Sequence, residues 1–470
     1  MSATHHKQVR LAQHYLRQLR KANRIYQQGG AHVQRSLKMI EQEWAQIKQF
    51  QNWAFEQRFS DQQAAVLCSA YPQAPGKLLD LILTLQEQRV WREVGLEMAR
   101  RINDQAAEMA HLLALAQVHE KLDAYPIAVE YTQQALTLAR QMQNNAMGAQ
   151  AALMMGILEK DFGNYRDATI YLEQGLSIFR THTQEEGIAK SLLELGDIAN
   201  FRGLFLVAHD YYVDALHIYQ RIDDRRGIAT TLGCLATALY NQGDYETAKR
   251  FHDDALWLSR QISDHLTAAD VMVELGRRTL GQTELDEARR YCEESVNIYR
   301  RMGNLRGTAQ SLIRLATIAS VNGELEIALA ASEEGVQIYR QIGNRFGIAS
   351  GLIVLAHVKQ RYGEITTSQH HLTSAMNITL DIGASILIPQ IMAVMANQLL
   401  ITGQAERGAM LFGLADASPW LQAYIRQYAF PLVLEWFLQA LDADTLIAAV
   451  ERGKKLNLDE TLAQILSEWS

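Results

Sequence analysis

The sequence predicts an all-α fold, a solenoid of stacked helical hairpins, on three observations. From Gln105 to Ala384 one pattern recurs seven times at a spacing of forty residues, with no insertion or deletion. Each copy holds two apolar runs of helical periodicity separated by a turn such as Gln242-Gly243-Asp244. Small residues return at fixed places in the second run, and only 6 prolines interrupt the 470 residues.

The turn comes first in the logic of each copy. Steps of forty from Gly243 land on Gly163, Gly203, Gly323, Gly363 and Gly403, with Asp123 and Thr283 as exceptions. Glycine there takes the left-handed conformation that ends one helix, and the Asn, Asp or Glu that often follows suits the start of the next. Two residues on stands a large side chain, Tyr125, Tyr165, Phe205, Tyr245, Leu285, Leu325 or Ile365. Three further is a small one, Ala128, Ala168, Ala208, Ala248, Ala288, Ala328 or Ser368. A second small column holds Ala135, Gly175, Ala215, Ala255, Ser295, Gly335 and Ala375. Small residues seven apart share a helix face and admit a neighbouring helix at close range. A hairpin with one apolar face cannot bury it alone, so the copies stack into a continuous core.

The flanks follow in order. Residues 5–27 predict a helix ended by Gly29-Gly30, and about 31–55 a second, with Leu37, Ile40, Trp44, Ile47, Phe50, Trp53 and Phe55 marking its buried side. Shorter helices are expected over 61–70 and 75–87, around Pro72 and Pro75, and another over 89–101. Residues 1–104 lack the repeat columns and read as a helical N-terminal cap. The array spans 105–415, with copies starting at 105, 145, 185, 225, 265, 305 and 345 and a divergent eighth at 385 that keeps Gly403 but carries Ala405 and Gly408. Residues 416–470 read as a helical C-terminal cap with helices over 421–440, 443–453 and 458–469.

With Leu195-Gly196, Leu235-Ala236, Leu275-Gly276, Leu315-Ala316 and Leu355-Ala356 in the first helices, and Gly243-Asp244-Tyr245 at the turn, the pattern resembles the tetratricopeptide (TPR) family. The copies exceed the family's usual length of roughly 34 residues, so the likeness is to its long-helix variety. It implies a right-handed superhelix of seven to eight hairpins that holds peptides or proteins in a concave groove. The ending carries a second resemblance. Leu411-Phe412-Gly413, Ala415, Ala417, Ala448-Ala449-Val450, Gly453, Leu456 and Leu458-Asp459-Glu460 are similar to the end of bacterial STAND-type and LuxR-type signalling ATPases, in which a TPR arm serves as sensor. No G-x-x-x-x-G-K-[ST] loop accompanies it, and Gly76-Lys77 lacks the glycine framing, so the implied part is the sensor arm without its nucleotide switch.

Composition narrows the function. Cys68, Cys234 and Cys292 lie far apart without metal or redox spacing, which fits a reducing cytoplasm. The opening MSATHHKQVR has no apolar signal core, and no stretch is long and apolar enough to span a bilayer. Net charge is -7, yet residues 1–58 carry ten Lys or Arg against Glu41, Glu43 and Glu56. Because Lys7, Arg10, Arg17, Arg20, Lys21 and Arg24 interleave with Val9, Leu16, Leu19, Ala22 and Ile25, the basic residues read as the solvated face of an amphipathic helix. A nucleic-acid contact there is the weaker alternative. His111 and His119, like His209 and His217, are eight apart, about 12 Å along a helix, too far for one metal. No H-E-x-x-H, C-x-x-C or G-x-S-x-G occurs, so no enzyme, cofactor or metal is expected.

Periodicity also drafts a site. At about 100° per residue, Lys190, Leu193, Asp197, Asn200 and Phe201 gather opposite the packing side of the third copy's first helix, the side that lines the groove in the family it resembles. Steps of forty add Gln117 and Glu120, Gln150 and Lys160, Thr230, Thr237, Tyr240 and Asn241. Further on come Asp270 and Arg277, Gln310 and Thr317, His357, Gln360 and Arg361, then Gln390 and Asn397. Leu113, Leu153, Leu193, Val273, Ile313 and Ile353 would form an apolar floor. Amide, hydroxyl and mixed-charge walls over such a floor suit a peptide or protein partner in a sensor or adaptor of a bacterial signalling system. A small-molecule receptor is the alternative, which a tight pocket near Phe201 and Tyr240 would favour.

Overall fold

The computed structural model describes residues 3–28, 31–281, 285–423 and 430–469, and among them every regular element is helical. The chain opens with α1 (Ala3–Tyr26) and α2 (Ala31–Gln57), a hairpin closed by α3 (Gln62–Ala70), the short α4 (Leu79–Ile82) and α5 (Leu85–Arg101). Leu16, Leu19, Ile40, Ile47, Tyr71 and Met98 form its core, and the basic side chains Arg10, Arg17, Arg20, Lys21 and Arg24 are exposed. The helix expected over 75–87 is broken. Thr84 and Glu87 make a reciprocal capping box, so α5 begins at Leu85, and this local hydrogen-bonded start overrides the apolar periodicity.

The hairpins follow as α6 (Gln105–Lys121) with α7 (Tyr125–Gln141), α8 (Asn145–Phe162) with α9 (Tyr165–Thr181), α10 (Glu185–Phe201) with α11 (Phe205–Arg221), and α12 (Arg225–Gln242) with α13 (Tyr245–Gln261). Then come α14 (His265–Gly281) with α15 (Leu285–Met302), α16 (Leu305–Val321) with α17 (Leu325–Ile342), α18 (Arg345–Arg361) with α19 (Ile365–Ile382), and α20 (Ile388–Ile401) with α21 (Ala405–Asp416). The backbone repeats at twenty residues rather than forty. Asn103, Asp123, Gln143, Gly163, Thr183, Gly203, Asp223, Gly243 and Ser263 all hold positive φ, and so do Gly303 through Gly403 at the same step. Thr283 lies outside the described residues. After the left-handed residue an Asp or Asn side chain caps most first helices: Asp224 Oδ1 accepts from Gly227 N–H at 3.1 Å, and Asn304 and Asn344 do the same for Gly307 and Gly347 at 2.6 Å.

The joint between hairpins is an aromatic ring laid on a glycine. A Cβ on Gly227 would stand 2.2 Å from the Tyr219 ring, and one on Gly307 or Gly347 would stand 2.3 Å from Tyr299 or Tyr339. Phe179 and Gly187 repeat the contact. Where the ring position holds Ser259, the glycine position holds Thr267, so ring and gap are exchanged together.

Stacking at this pitch brings the superhelix back on itself. Phe201 meets Phe346 with ring centroids 4.8 Å apart, Gly163 sits against Ile382, and Gly203 against Trp420. Beyond the last hairpin, α22 (Phe430–Ala440) sets Phe437 against Phe412, and α23 (Ala443–Gly453) crosses α21 while α24 (Leu458–Trp469) lies on α19. Of the helix expected over 421–440, residues 424–429 lie outside the described residues. The glycines of the terminal motif explain the crossing: a Cβ on Gly413 would lie 2.1 Å from the Val450 carbonyl oxygen, and one on Gly453 1.9 Å from that of Met410. We propose that the two flanks act as caps, since each covers a terminal hairpin of the array.

Gly227→Ala is expected to lower unfolding free energy by about 1–3 kcal/mol, as overpacking does, measured by urea denaturation. Thr183→Gly is expected to raise it by about 1 kcal/mol by relieving a left-handed β-branched residue. Unchanged midpoints in both variants would refute this account of the joints.

Candidate ligand-binding cavity

Where the turns of the superhelix meet they enclose a cavity of about 550 Å³. The C-terminal ends of α6 and α8 supply Glu120, Lys160 and Asp161, and α10 supplies Glu194, Asp197, Asn200 and Phe201. The N-terminal halves of α12, α14, α16 and α18 face them with Arg226, Asp270, Arg306 and Phe346.

Most of these charges are neutralised by one another. Lys160 Nζ lies 2.6 Å from Glu194 Oε2 and 2.9 Å from Asp197 Oδ2, and Tyr212 donates its hydroxyl to Asp197 Oδ1 at 2.9 Å. The surrounding carboxylates hold the Lys160 ammonium well above its ordinary range against the cost of burial. Arg306 spans the closure. Its guanidinium pairs with Glu120 at 2.9 Å and Asp161 at 2.7 Å, and its backbone N–H donates to Asp123 Oδ2 at 2.8 Å. Burial pushes the carboxyls of Glu120 and Asp123 upward, with Arg306 opposing. Buried ion pairs of this kind cost several kcal/mol per ion in desolvation, so their geometry must be close to saturated to persist.

Of the residues drafted from periodicity, Asp197, Asn200, Phe201, Thr237, Asp270 and Gln310 line this cavity. Asn241 donates to Asn200 Oδ1 at 3.2 Å from a buried position. Tyr240 is 1 % exposed and packs its ring on Tyr245, and Gln360 is 4 % exposed in an amide cluster with Asn397 and Gln398. These three are interior rather than open wall, because partners on their own and the adjacent hairpins cover them. Gln150 is exposed at the start of α8, Lys190 is half-buried, and Thr317 returns its hydroxyl to the Ile313 carbonyl. His357 stands outside the cavity with its pKa depressed to about 4, by burial first and Arg361 second, while Arg361 donates to the Ser320 carbonyl. The side chain of Arg277 lies outside the described residues. The apolar row expected as a floor is mostly core: Leu153, Leu193, Val273 and Ile353 are buried, and Ile313 alone of the row reaches the cavity. Arg226, Arg306, Arg314 and Phe346 escaped sequence reasoning. Arg226, Arg306 and Phe346 sit at the starts of their helices and Arg314 midway along α16, and only the closure of the superhelix aims them inward.

Asp270 gives a pH test. Burial raises its carboxyl to about 6, against the hydrogen bond from Tyr299 at 2.5 Å and the more distant Arg306 and Arg226. An acid with a raised folded pKa contributes stability below its unfolded value near 3.8, lost as pH rises through 6. Because the Asp270 side chain is also solvent-exposed, water screens most of this effect, and Asp270→Asn is expected to leave stability nearly unchanged at pH 4 and to raise it at pH 7.5 by at most about 1 kcal/mol. Parallel pH profiles of unfolding for the two proteins would contradict this.

Comparison with known proteins agrees with this architecture. Residues 227–301 match the family model described as tetratricopeptide repeat. No curated protein sequence matches the chain. Among solved structures, a Rap protein complexed with competence and sporulation factor is similar at 14% identity and a TM-score of 0.56, over 75% of this chain and 94% of that one. The Rap conjugation gene regulator of plasmid pLS20, in complex with the Phr* peptide, is similar at 16% identity and 0.53, over 70% and 96%. A STAND protein with a tetratricopeptide repeat sensor from Pyrococcus horikoshii is a more distant likeness, at 17% identity and 0.43 over 75% and 55%. Seven hairpins in register, their small-residue columns and the matching repeat model together make this chain a tetratricopeptide-repeat protein.

Proposed function

We propose that this protein is a sensor or adaptor scaffold in a bacterial signalling system that binds a short peptide inside its superhelix. The observation that carries this reading is the interior cavity, partly open to solvent, whose walls come from seven hairpins. A ligand there touches repeats far apart in sequence, so its binding energy acts on the pitch of the whole array. The two Rap structures with TM-scores above 0.5 are described in complex with a factor and a peptide, which supports the same class of ligand here. Among the described residues no group of three or more His, Cys, Asp or Glu side chains is placed to hold a metal, and no helix is long and apolar enough to cross a membrane. We read the chain as a binding protein rather than an enzyme, acting in the cytoplasm.

The cavity volume also favours a second reading, a small-molecule receptor, because 550 Å³ falls within the range that takes drug-sized ligands. A folded protein partner is too large for it and would have to use the outer surface.

The full chain is to be screened by thermal unfolding against random pentapeptide pools and a metabolite collection. A ligand that binds only the native state at about a hundred times its Kd adds about 2.7 kcal/mol, which reads as an increase of a few degrees in Tm. Hydrogen exchange with the active pool should then slow along α10, α14 and α16. Slowing confined to α1–α5 or to the convex helices would rule out the interior site.

A further inference from the structure

Two charged side chains on the cavity wall stand outside the ion-pair network. Asp270 on α14 accepts one hydrogen bond, from Tyr299, and no cation lies within pairing distance of it among the described residues. Arg314 on α16 lines the same cavity, half-buried, and no carboxylate among the described residues pairs with its guanidinium. Its charge reaches Cys292 and Tyr339, neither of which offers a counter-charge. A third group is also unsatisfied. Tyr165, 4 % exposed, stacks on Phe201 at 5.6 Å between ring centroids and lines the cavity, and its hydroxyl has no hydrogen-bond partner.

The contrast with the neighbouring groups is the argument. Lys160 and Arg306 each meet two carboxylates, so the chain neutralises buried charge where the array needs it. An unsatisfied buried hydroxyl costs free energy, and Tyr165 keeps one at a cavity where an exposed carboxylate and a half-buried guanidinium also stand without a counter-charge. Nothing in the folded chain uses them. A guanidinium presents the paired donors that match a carboxylate, and a carboxylate matches an ammonium or guanidinium.

Building on the interior site proposed above, we propose that its ligand is dipolar: a short peptide whose carboxylate is taken by Arg314 and whose basic group is taken by Asp270, with the Tyr165 hydroxyl bonding its backbone. The cavity limits the peptide to a few residues, since an extended chain spans about 3.5 Å per residue. The positive and negative groups must then sit on one compact molecule.

Four pentapeptide pools separate the possibilities: one with a basic side chain and a free C-terminal carboxylate, one basic only with an amidated end, one acidic only with an acetylated start, and one blocked and uncharged. Thermal unfolding of the full chain is read with each, every variant against its own unliganded Tm. The dipolar pool is expected to give the largest increase, and each singly charged pool less than half of it. Arg314→Gln should remove the advantage of the free carboxylate and keep that of the basic group, and Asp270→Asn should do the reverse. An uncharged pool that stabilises the protein as well as the dipolar one overturns this assignment and leaves the interior site standing. If no pool moves Tm, and none slows hydrogen exchange along α10, α14 and α16, both readings fall.

Discussion

The architecture rests on how closely one hairpin is allowed to approach the next. Each aromatic at the end of a second helix occupies the space that a glycine leaves near the start of the following helix, as Tyr219 does over Gly227 and Tyr339 over Gly347. Stacked rings on flat backbone fix both separation and rotation between repeats, since close-packed interiors tolerate little deformation. Four of the seven joints between hairpins carry this contact, at Gly187, Gly227, Gly307 and Gly347, and the repeated step accumulates into a turn of defined pitch. The meeting of Phe201 with Phe346, and the cavity beside it, follow from that pitch rather than from any local feature.

This dependence explains what could be read from the sequence. The glycine column, the small columns and the unbroken spacing determine helices, turns and stacking order, because each is a local or nearest-neighbour matter. Residues Asp197, Asn200, Phe201, Thr237, Asp270 and Gln310 were also legible, since they lie on the helix face opposite the packing stripe. Arg306 and Phe346 were not: their role depends on which distant hairpin comes round to meet them, and no periodicity encodes that. Tyr240 and Gln360 are buried for a local reason that periodicity does not report, Tyr240 against Tyr245 of its own hairpin and Gln360 in an amide cluster with Asn397 and Gln398 of the next. The capping box at Thr84 and Glu87 and the ring-on-glycine column at Gly187, Gly227, Gly307 and Gly347 were visible as patterns, but their weight shows only in the packing.

The interior trades stability for definition. Replacing a buried ion pair with apolar side chains is often neutral or stabilising, so the clusters around Lys160 and Arg306 are an expensive way to fill space. What they supply is directional: Lys160 fixes α8 relative to α10, and Arg306 fixes α16 relative to α6 and α8. Apolar contacts would permit sliding between those helices. Charges with few acceptable partners do not, and they hold the geometry in which Asp270 and Arg314 face a common space.

The bridge from Arg306 to Glu120 and Asp123 also bears on how such a chain could change over evolutionary time. A solenoid whose units touch only their neighbours can gain or lose a unit by duplication or deletion with little penalty. Here an added hairpin between the first and the sixth would rotate Arg306 away from its carboxylates and carry Phe346 past Phe201. The closure therefore fixes the number of units between those points as strictly as it fixes any side chain, which accords with a spacing that admits no inserted residue from Gln105 to Ala384.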